Sequence, residues 1–500
     1  MKNSKLNRLL SLFLVIVMLI SSSAYIVAAD DDTAESPQAK GNPPEGAQIE
    51  DVFSEWAYWD IFMAQAVYGL GNEGTYSNFR GNFVWMKMVP VIASLHESFG
   101  IDTPWAPRDD VNAYVTRGET VSELYWVIAA ALEIEEPGEA IDYFIENGLI
   151  KGRAKGDYQL DAMCTTEEMI IFSVRVYEHI SYALKLDSKG LLWKITGKDM
   201  PNTVYLLGSI HMSDSSIYPF SKSMLKAFAN SAYLGVEANI YTISEEDINY
   251  MNEIQMITDG RTIKDFISEE TYALYVEVVK SLGIPAKIYD YIKPWVASNL
   301  LVEAMYTEGG EVSGALGIDM HFLMKAFTEG KEIVEVESIK YQMDMFESFS
   351  PELQEFLLLD ALMAMTGGYI EEPSEEDAID GESEEAEDTA VSENEAAEEL
   401  ANAAQEFLFI MLNAFKKGDE AILTEIFESS KVAPVKILEE YMDKLWHIRD
   451  AAMAKTIEQY LATEDAEGDY FVIVGAGHTV GKTGIVQVLI DAGYKVERIK

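Results

Sequence analysis

Two histidines occupy matching positions in this chain of 500 residues, which contains six histidines in all. His211 ends the turn Gly208-Ser209-Ile210-His211, and His478 ends the turn Gly475-Ala476-Gly477-His478. Each turn follows a run of β-branched, aliphatic or aromatic residues that stops at glycine. Such a run predicts a buried strand whose backbone then turns sharply. Because open α/β sheets bind ligands at the carboxyl ends of their strands, both histidines are candidate site residues.

Two glutamates extend this set, since Glu237 and Glu337 also fall at the carboxyl ends of predicted strands. Two imidazoles and two carboxylates suit a divalent transition metal that keeps one position open for water. The metal would acidify that water and so supply hydroxide for hydrolysis. One glutamate could instead take the proton of the water. As alternatives, Glu237 caps the next element and Glu337 is a surface charge, because sequence spacing does not show that the side chains meet.

Arg449 is the candidate cation of this site. It lies in the segment His447-Ile448-Arg449-Asp450, just before a predicted helix. A guanidinium there can clamp a substrate carboxylate or stabilise an oxyanion. The alternative is a surface arginine held in a salt bridge.

Two other kinds of site are disfavoured. Residues 476–483 nearly match a phosphate-binding loop, but Ala476 replaces the first glycine of that motif. The single cysteine, Cys164, excludes an intramolecular disulfide and a cysteine-rich zinc site. No base lies beside Cys164 in the sequence, so we expect it in the core and not as a nucleophile.

The amino terminus predicts export. Lys2, Lys5 and Arg8 precede an apolar run, and small residues follow it up to Ala29. We interpret residues 1–29 as a signal peptide, with an uncleaved membrane anchor as the alternative. No later stretch is apolar enough to span a bilayer, so no transmembrane segment is expected in the mature chain. A secreted protein without disulfides is typical of a bacterial exterior, here a Gram-positive envelope.

The net charge of the chain argues against some classes of binding partner. A formal net charge of −48 argues against nucleic acids and anionic lipid surfaces. Residues 30–48 are polar and rich in proline and glycine, which is typical of a flexible linker. Residues 371–399 are crowded with Glu and Asp and contain no Lys or Arg. They predict a disordered acidic insertion, because they can bury too little apolar surface to offset chain entropy.

Two regions of different pattern must position the candidate residues. Residues 49–187 show helical spacing throughout, whereas residues 190–500 alternate between strands and helices. The second region predicts strands at 192–195, 203–207, 233–237, 331–337, 471–474 and 494–499. Its predicted helices include 263–282, 296–306, 318–328 and 484–492.

The helical region contains two similar helix starts. Residues 115–119 and 164–168 each place a Thr at the cap and a Glu shortly after it. With the glycine-bounded loops around them, these starts resemble the surface-layer homology (SLH) module of bacterial envelope proteins. The resemblance implies an N-terminal all-α SLH-like domain at 49–187 and a cell-wall polymer as a partner. Only the first start keeps the family's arginine, Arg117, and an unrelated helical domain is the alternative.

The second region resembles the TraB/GumN group, which includes the TIKI proteases. The resemblance rests on the two histidine turns and on six further segments: Leu192-Trp193-Lys194-Ile195, Val236-Glu237, Lys293-Pro294-Trp295, Gly317-Ile318-Asp319, Glu335-Val336-Glu337-Ser338 and Arg449-Asp450. It implies an α/β fold with a central mixed sheet flanked by helices, as in ChaN- and EreA-like proteins. It also implies a metal-dependent hydrolase, with a peptidase activity established for few members. Asp319 and Asp450 depart from the usual Glu and Asn of the group.

We therefore expect an envelope-associated, metal-dependent hydrolase whose substrates are peptides or proteins. The expected metal ligands are His211, His478, Glu237 and Glu337, and the expected metal is manganese, cobalt or zinc. Glu237, Glu337 and Arg449 are the expected catalytic residues. The alternative is a wall-associated protein that binds a peptide or signal without cutting it.

Overall fold

The computed structural model describes residues 53–105, 108–135, 137–152, 156–240, 243–307, 312–366, 406–430, 436–464 and 468–500. The predicted signal peptide (1–29), linker (30–48) and acidic insertion (371–399) lie outside these residues. Within them, the chain forms two compact units. The C-terminal unit contains Lys189–Ile217 and Lys222–Lys500, and the N-terminal unit contains the described residues from 53 to 188 together with Tyr218–Ser221.

The C-terminal unit is built on one six-stranded sheet, whose order is β4-β3-β5-β2-β1-β6. Its strands are β1 (Leu191–Thr196), β2 (Thr203–Ser209), β3 (Tyr233–Val236), β4 (Glu332–Glu335), β5 (Tyr470–Gly475) and β6 (Lys495–Ile499). The four neighbours β4, β3, β5 and β2 run parallel, so their carboxyl ends share one edge of the sheet. The hairpin β1–β2 and the pair β1–β6 are antiparallel.

Helices flank this sheet. The helices of the C-terminal unit are Lys222–Asn230, Glu245–Gln255, Glu269–Ser281, Ala286–Tyr289, Pro294–Thr307, Ile318–Glu329, Ile339–Glu347, Pro351–Thr366, 406–417, Glu420–Ser430, Ile437–Met442, Ile448–Ala462, Ala476–Thr479 and Ile485–Asp491. A π-helical turn, Asp443–His447, joins two of them, and 3₁₀ turns occur at Ser215–Ile217, Ile263–Asp265 and Gly314–Leu316. The mixed α/β sheet predicted from the sequence is confirmed, with strand ends shifted by one or two residues.

The central strand β5 shows why the sheet forms where it does. All six of its residues are buried, as expected for a parallel strand covered on both faces. Val472 and Val474 belong to a core cluster that includes residues of the helices Ile448–Ala462 and Ile485–Asp491. Phe471 points to the other face, where its ring lies 5.6 Å from that of Phe228 and 5.0 Å from that of Phe322.

The N-terminal unit is largely helical in the residues described. Its helices are Tyr58–Phe62, Trp85–Phe99, Arg117–Ala131, Ala140–Glu146 and Thr166–Ala183, with short 3₁₀ and π-helical turns at Glu55–Ala57 and Met63–Val67. Among the described residues of both units, no helix combines the length and the hydropathy needed to cross a bilayer.

Both predicted Thr–Glu helix starts are present as capping boxes. Thr116 accepts from the backbone N–H of Glu119, which reaches back to the backbone of Thr116, and Thr165 and Glu168 make the same pair. Arg117 is buried, with its guanidinium 2.5 Å from a carboxylate oxygen of Glu168. It also donates to the backbone oxygens of two loop residues. The charge of Arg117 is therefore balanced by Glu168 within the N-terminal unit. The resemblance to the SLH module stays a prediction.

Replacing Phe471 by Ala tests the aromatic contact under the sheet. We expect the free energy of unfolding to fall by about 3–5 kcal/mol, because the change leaves a cavity between two phenylalanine rings. Phe409→Ala is the matched control, since that ring is 65% exposed and its loss should change stability by less than about 0.5 kcal/mol. Urea unfolding of the full chain measures both, and equal losses would contradict this view of the core.

Candidate active site

The predicted site residues follow the four parallel strands. Glu337 comes after β4, Glu237 after β3, His478 after β5 and His211 after β2. Because the strands are adjacent in that order, the four backbone positions lie in sequence along the carboxyl edge. Backbone pairing continues past the strand ends, where the N–H of Glu337 donates to the backbone oxygen of Glu237 at 3.1 Å. The two glutamates are therefore side by side.

Three of these side chains meet over Gly475. A Cβ atom built on Gly475 would lie 3.4 Å from His211 Nε2, 3.5 Å from Glu237 Oε1 and 3.5 Å from His478 Cδ2. Gly475 has φ −50° and ψ 137°, a conformation open to any residue. Glycine is therefore not required here by its backbone angles, and its missing side chain leaves the space between the three groups open. We call this the space over Gly475.

His211 is oriented by a carboxylate. Its Nδ1 lies 2.7 Å from Asp319 Oδ2, and Ser209 donates a hydrogen bond of 2.9 Å to the other oxygen of Asp319. Asp319 reaches this place because a glycine precedes its helix. A Cβ atom on Gly317 would lie only 2.1 Å from the backbone oxygen of His211, which no other residue permits. Gly317 thus lets the start of the helix Ile318–Glu329 pack against the His211 turn.

The carboxylate also changes the proton affinity of His211. Burial lowers the pKa of the imidazole, but the charge of Asp319 and its contact with Nδ1 more than offset this, so the net pKa is raised. Nε2 points away from Asp319, since the two ring nitrogens lie on opposite sides. This nitrogen is buried and has no hydrogen-bond partner among the described residues. It is a donor atom available for a ligand in the space over Gly475.

His478 has the same arrangement. Its Nδ1 lies 2.5 Å from Asp450 Oδ1, and the opposite side of its ring faces the space over Gly475. The ring is fully buried and packs against Trp446, with 4.8 Å between ring centroids. A carboxylate behind each imidazole fixes both its tautomer and its orientation, as is typical of metal-binding histidines.

A buried arginine joins the two glutamates. Arg449 Nη2 donates to Glu237 Oε2 at 2.7 Å and to Glu337 Oε2 at 2.8 Å, while Nε donates to Glu337 Oε1 at 3.0 Å. Gln342 Nε2 donates to both carboxylates at 3.2 Å. The remaining oxygen of Glu237 accepts from the N–H of Gly475 at 2.6 Å. Each carboxylate is therefore held in one orientation, and that of Glu337 is turned toward Arg449.

The elements that carry these groups begin beside the site. Ser338 caps the helix Ile339–Glu347 by accepting from Tyr341 N, so Gln342 on its first turns faces the glutamates. The helix Ile448–Ala462 supplies two adjacent residues, Arg449 for the glutamates and Asp450 for His478.

Opposite charges in this cluster shift each other's protonation. Burial raises the pKa of Glu237, and the attraction of Arg449 and His211 only partly reverses this. Burial lowers the pKa of Arg449, but the two glutamates outweigh it and the net pKa is raised. Arg449 therefore stays protonated. Its Nη1 is buried and has no hydrogen-bond partner among the described residues.

The donor types around the space over Gly475 suit a divalent metal. His211 Nε2, His478 and Glu237 Oε1 provide two imidazoles and one carboxylate oxygen, as in many catalytic zinc sites. Both oxygens of Glu337 bond Arg449, so Glu337 is not one of the groups that face this space. As they stand, no three His, Cys, Asp or Glu side chains in the described residues have the geometry to hold a metal ion.

Three residues of the site had no assigned role in the sequence analysis. Gln342, Asp319 and Asp450 position the glutamates and the histidines. A signal for the two aspartates was present, because each lies in a segment of the TraB/GumN resemblance. Gln342 carried no signal beyond its place five residues after Glu337.

Comparison with known proteins identifies the family of the chain. A model of the TraB/PrgY/gumN family matches residues 191–498, which is more than half of the chain. The chain therefore belongs to this family. The match covers β1 to β5, all of β6 except its last residue, and each candidate site residue.

The chain is also similar to two curated proteins, both described as uncharacterized protein YbaP. One is from Escherichia coli (strain K12) and the other from Shigella flexneri, and each is 25% identical over 141 residues. The similarity covers 28% of this chain and 50% of each relative, so only half of their length is represented. No solved structure matches the chain.

Replacing Arg449 by Met tests the role of the buried cation. We expect the free energy of unfolding to fall by about 3–5 kcal/mol near pH 7, because two buried carboxylates lose their partner. Without the guanidinium, burial would raise the folded-state pKa of Glu237 further above its unfolded value. The deficit should therefore be largest at neutral pH and shrink as the pH falls toward about 5.

The matched control is Arg261→Met, which removes an exposed arginine paired with Asp259 at 2.6 Å. It should change stability by less than about 1 kcal/mol at any pH in this range. Urea unfolding at several pH values measures both variants. A deficit of Arg449→Met that does not depend on pH would contradict the ion-pair account.

Proposed function

We propose that this member of the TraB/PrgY/gumN family is a metal-dependent hydrolase that acts on peptides or proteins. The observation that carries the proposal is the meeting of His211, His478 and Glu237 over Gly475, with a carboxylate behind each imidazole. The charge balance supports it too. The site contains four carboxylates, two on Arg449 (Glu237 and Glu337) and one behind each histidine (Asp319 and Asp450), so a divalent cation would reduce the excess of negative charge.

In this proposal His211 and His478 hold the metal through Nε2, and Glu237 is either a third ligand or the base. The metal, when bound, would acidify a water molecule so that hydroxide is available near neutral pH. Asp319 and Asp450 keep the imidazoles in the tautomer that presents Nε2. Burial raises the pKa of Glu237, which suits a carboxylate that takes a proton from water.

Arg449 and Glu337 have linked roles in the proposal. Glu337 holds Arg449 with both oxygens, and we assign it a positioning role in place of metal binding. Arg449 in turn fixes Glu237 and keeps Nη1 for a polar atom of the substrate or for a developing oxyanion. Peptides are the proposed substrates because the TIKI proteases, which the chain resembles, share this order of motifs.

The place of action is part of the same proposal. The basic residues and apolar run before Ala29 support export to the bacterial surface. The capping boxes at Thr116 and Thr165 support an SLH-like module that contacts wall polymer.

A peptide-binding protein without catalysis is the second candidate. The observation in its favour is that the described residues contain no ready set of three metal ligands. The experiments below separate the two candidates.

Replacing His211 or His478 by Ala tests metal binding. We expect each variant to lose bound manganese, cobalt or zinc and to lose hydrolysis, because two imidazoles supply the main nitrogen ligands. Elemental analysis gives metal content, and mass spectrometry of a peptide mixture gives hydrolysis, with and without a chelator. The control is His447→Ala, which removes an exposed histidine bonded to Asp443 and should change neither quantity.

Two results would decide against the hydrolase. Full metal content and hydrolysis in both variants would refute the assignment of the ligands. Peptides retained intact by the metal-loaded protein would favour the binding protein.

Replacing Gly475 by Ala tests the space itself. The added methyl group would make ordinary contacts of 3.4–3.5 Å, and the backbone angles suit alanine, so the fold should be kept. The methyl group would nevertheless stand between the proposed ligands, and we expect metal affinity and hydrolysis to fall at least about tenfold. The control is Gly314→Ala, whose methyl group would be 3.9 Å from the backbone oxygen of His211. Unchanged metal affinity in a folded Gly475→Ala variant would count against the site.

A further inference from the structure

A cavity of about 620 Å³ opens in the C-terminal unit, separate from the groups over Gly475. It is bordered by the helix Glu245–Gln255, the segment 256–261 and the segment 347–354. Its volume falls in the range of pockets that bind small molecules or short peptide segments. We call it the Lys293 pocket, after the lysine that lines it just before the helix Pro294–Thr307.

The wall of the Lys293 pocket is mainly apolar. It includes Tyr250 and Ile254 on one helix, and Ile257, Phe266 and Phe349 from other segments. Ile257 and Phe349 are buried, so the wall is anchored in the core of the unit. Fixed apolar walls of this kind favour a ligand group that is itself apolar.

The charges on the wall are largely paired. Lys293 Nζ lies 2.6 Å from Glu347 Oε1, and Trp295 donates to the other oxygen of Glu347 at 3.0 Å. Arg261 is paired with Asp259 at 2.6 Å. Because Lys293 and Arg261 are each paired with a carboxylate, they would add little binding energy for a phosphate or carboxylate ligand. The other charged wall residue, Glu253, is an exposed acid and would repel an anion.

One helix connects the pocket to the candidate active site. The helix Ile339–Glu347 carries Gln342, which bonds Glu237 and Glu337, and ends at Glu347 on the pocket wall. Five residues of helix span about 7.5 Å along the axis. An extended peptide covers about 3.3–3.6 Å per residue, so a short peptide is long enough to run along this stretch of helix.

We propose that the Lys293 pocket binds an aromatic or branched aliphatic side chain of the substrate, a few residues along the peptide from the bond that is cut. The inference rests on the proposed function and adds the class of peptide that the site selects. It also gives a role to the segment Lys293-Pro294-Trp295, whose contacts with Glu347 hold one wall of the pocket in place.

The test measures binding without cleavage. Calorimetric titration of the metal-free full chain uses two pentapeptides, acetyl-Ala-Ala-Phe-Ala-Ala-amide and its counterpart with a central Ser. We expect the Phe peptide to bind at least about tenfold more tightly, since burial of a phenyl ring favours binding by that order.

Two wall variants should remove this preference. Ile254→Asp puts a carboxylate on the apolar wall, and Thr258→Trp fills part of the volume from an exposed wall position. The matched control is Asn252→Asp, which adds the same charge to the same helix at a position that does not line the pocket. Unfolding midpoints show that each variant is folded.

The outcomes separate this inference from the proposed function. Equal affinity for the two peptides, or a preference that survives both wall variants, would overturn the pocket assignment even if the protein hydrolyses peptides. A Phe preference lost in the wall variants and kept in Asn252→Asp would support it. If the metal-loaded protein then cleaved neither peptide nor any peptide mixture, the hydrolase would be wrong, and the Lys293 pocket would be a binding site for an apolar peptide side chain with no cut bond beside it.

Discussion

The arrangement of the site depends on one buried cation placed between two adjacent strand ends. Glu237 and Glu337 lie next to each other because backbone pairing between the two chain segments continues past the ends of β3 and β4. Their carboxylates would repel each other in a medium that water does not reach. Arg449, which is fully buried, removes that repulsion and ties the start of the helix Ile448–Ala462 to the sheet. The same helix start brings Asp450 to His478, so one turn of helix positions both the two glutamates and one of the two histidines.

The two histidines repeat one design on separate strands. Each takes a carboxylate at Nδ1 and directs its other side to the space over Gly475. The carboxylates come from different helices, Ile318–Glu329 for His211 and Ile448–Ala462 for His478. A shared geometry from unrelated segments is more informative than either histidine alone, because local packing alone does not require it. It is the main reason to interpret the site as a ligand centre and not as a group of core polar residues.

The sequence predicted the sheet well because its strands are short, its inner strands are apolar, and glycines lie at or near most strand ends. All six predicted strands occur, and the shared carboxyl edge follows from the parallel pairing of β4, β3, β5 and β2. The order of the strands and the side-chain orientations could not be predicted, since they depend on pairing between residues far apart in the chain. Glu337 illustrates this: its position at a strand end was predicted, but only the fold reveals that Arg449 occupies both of its oxygens.

The four residues Tyr218–Ser221 lie within the sequence of the C-terminal unit but fold with the N-terminal one. Tyr182 donates to the backbone oxygen of Phe220, and the N–H of Ser188 donates to that of Pro219. The chain thus enters the C-terminal unit, leaves it briefly and returns. A recombinant fragment that starts at Lys189 would contain this four-residue strap, Tyr218–Ser221, but not the N-terminal unit with which the strap folds. The buried ring of Phe220 would then be exposed to water. Expression of the two units as separate polypeptides therefore requires redesign of the strap, and a single cut between them is not enough.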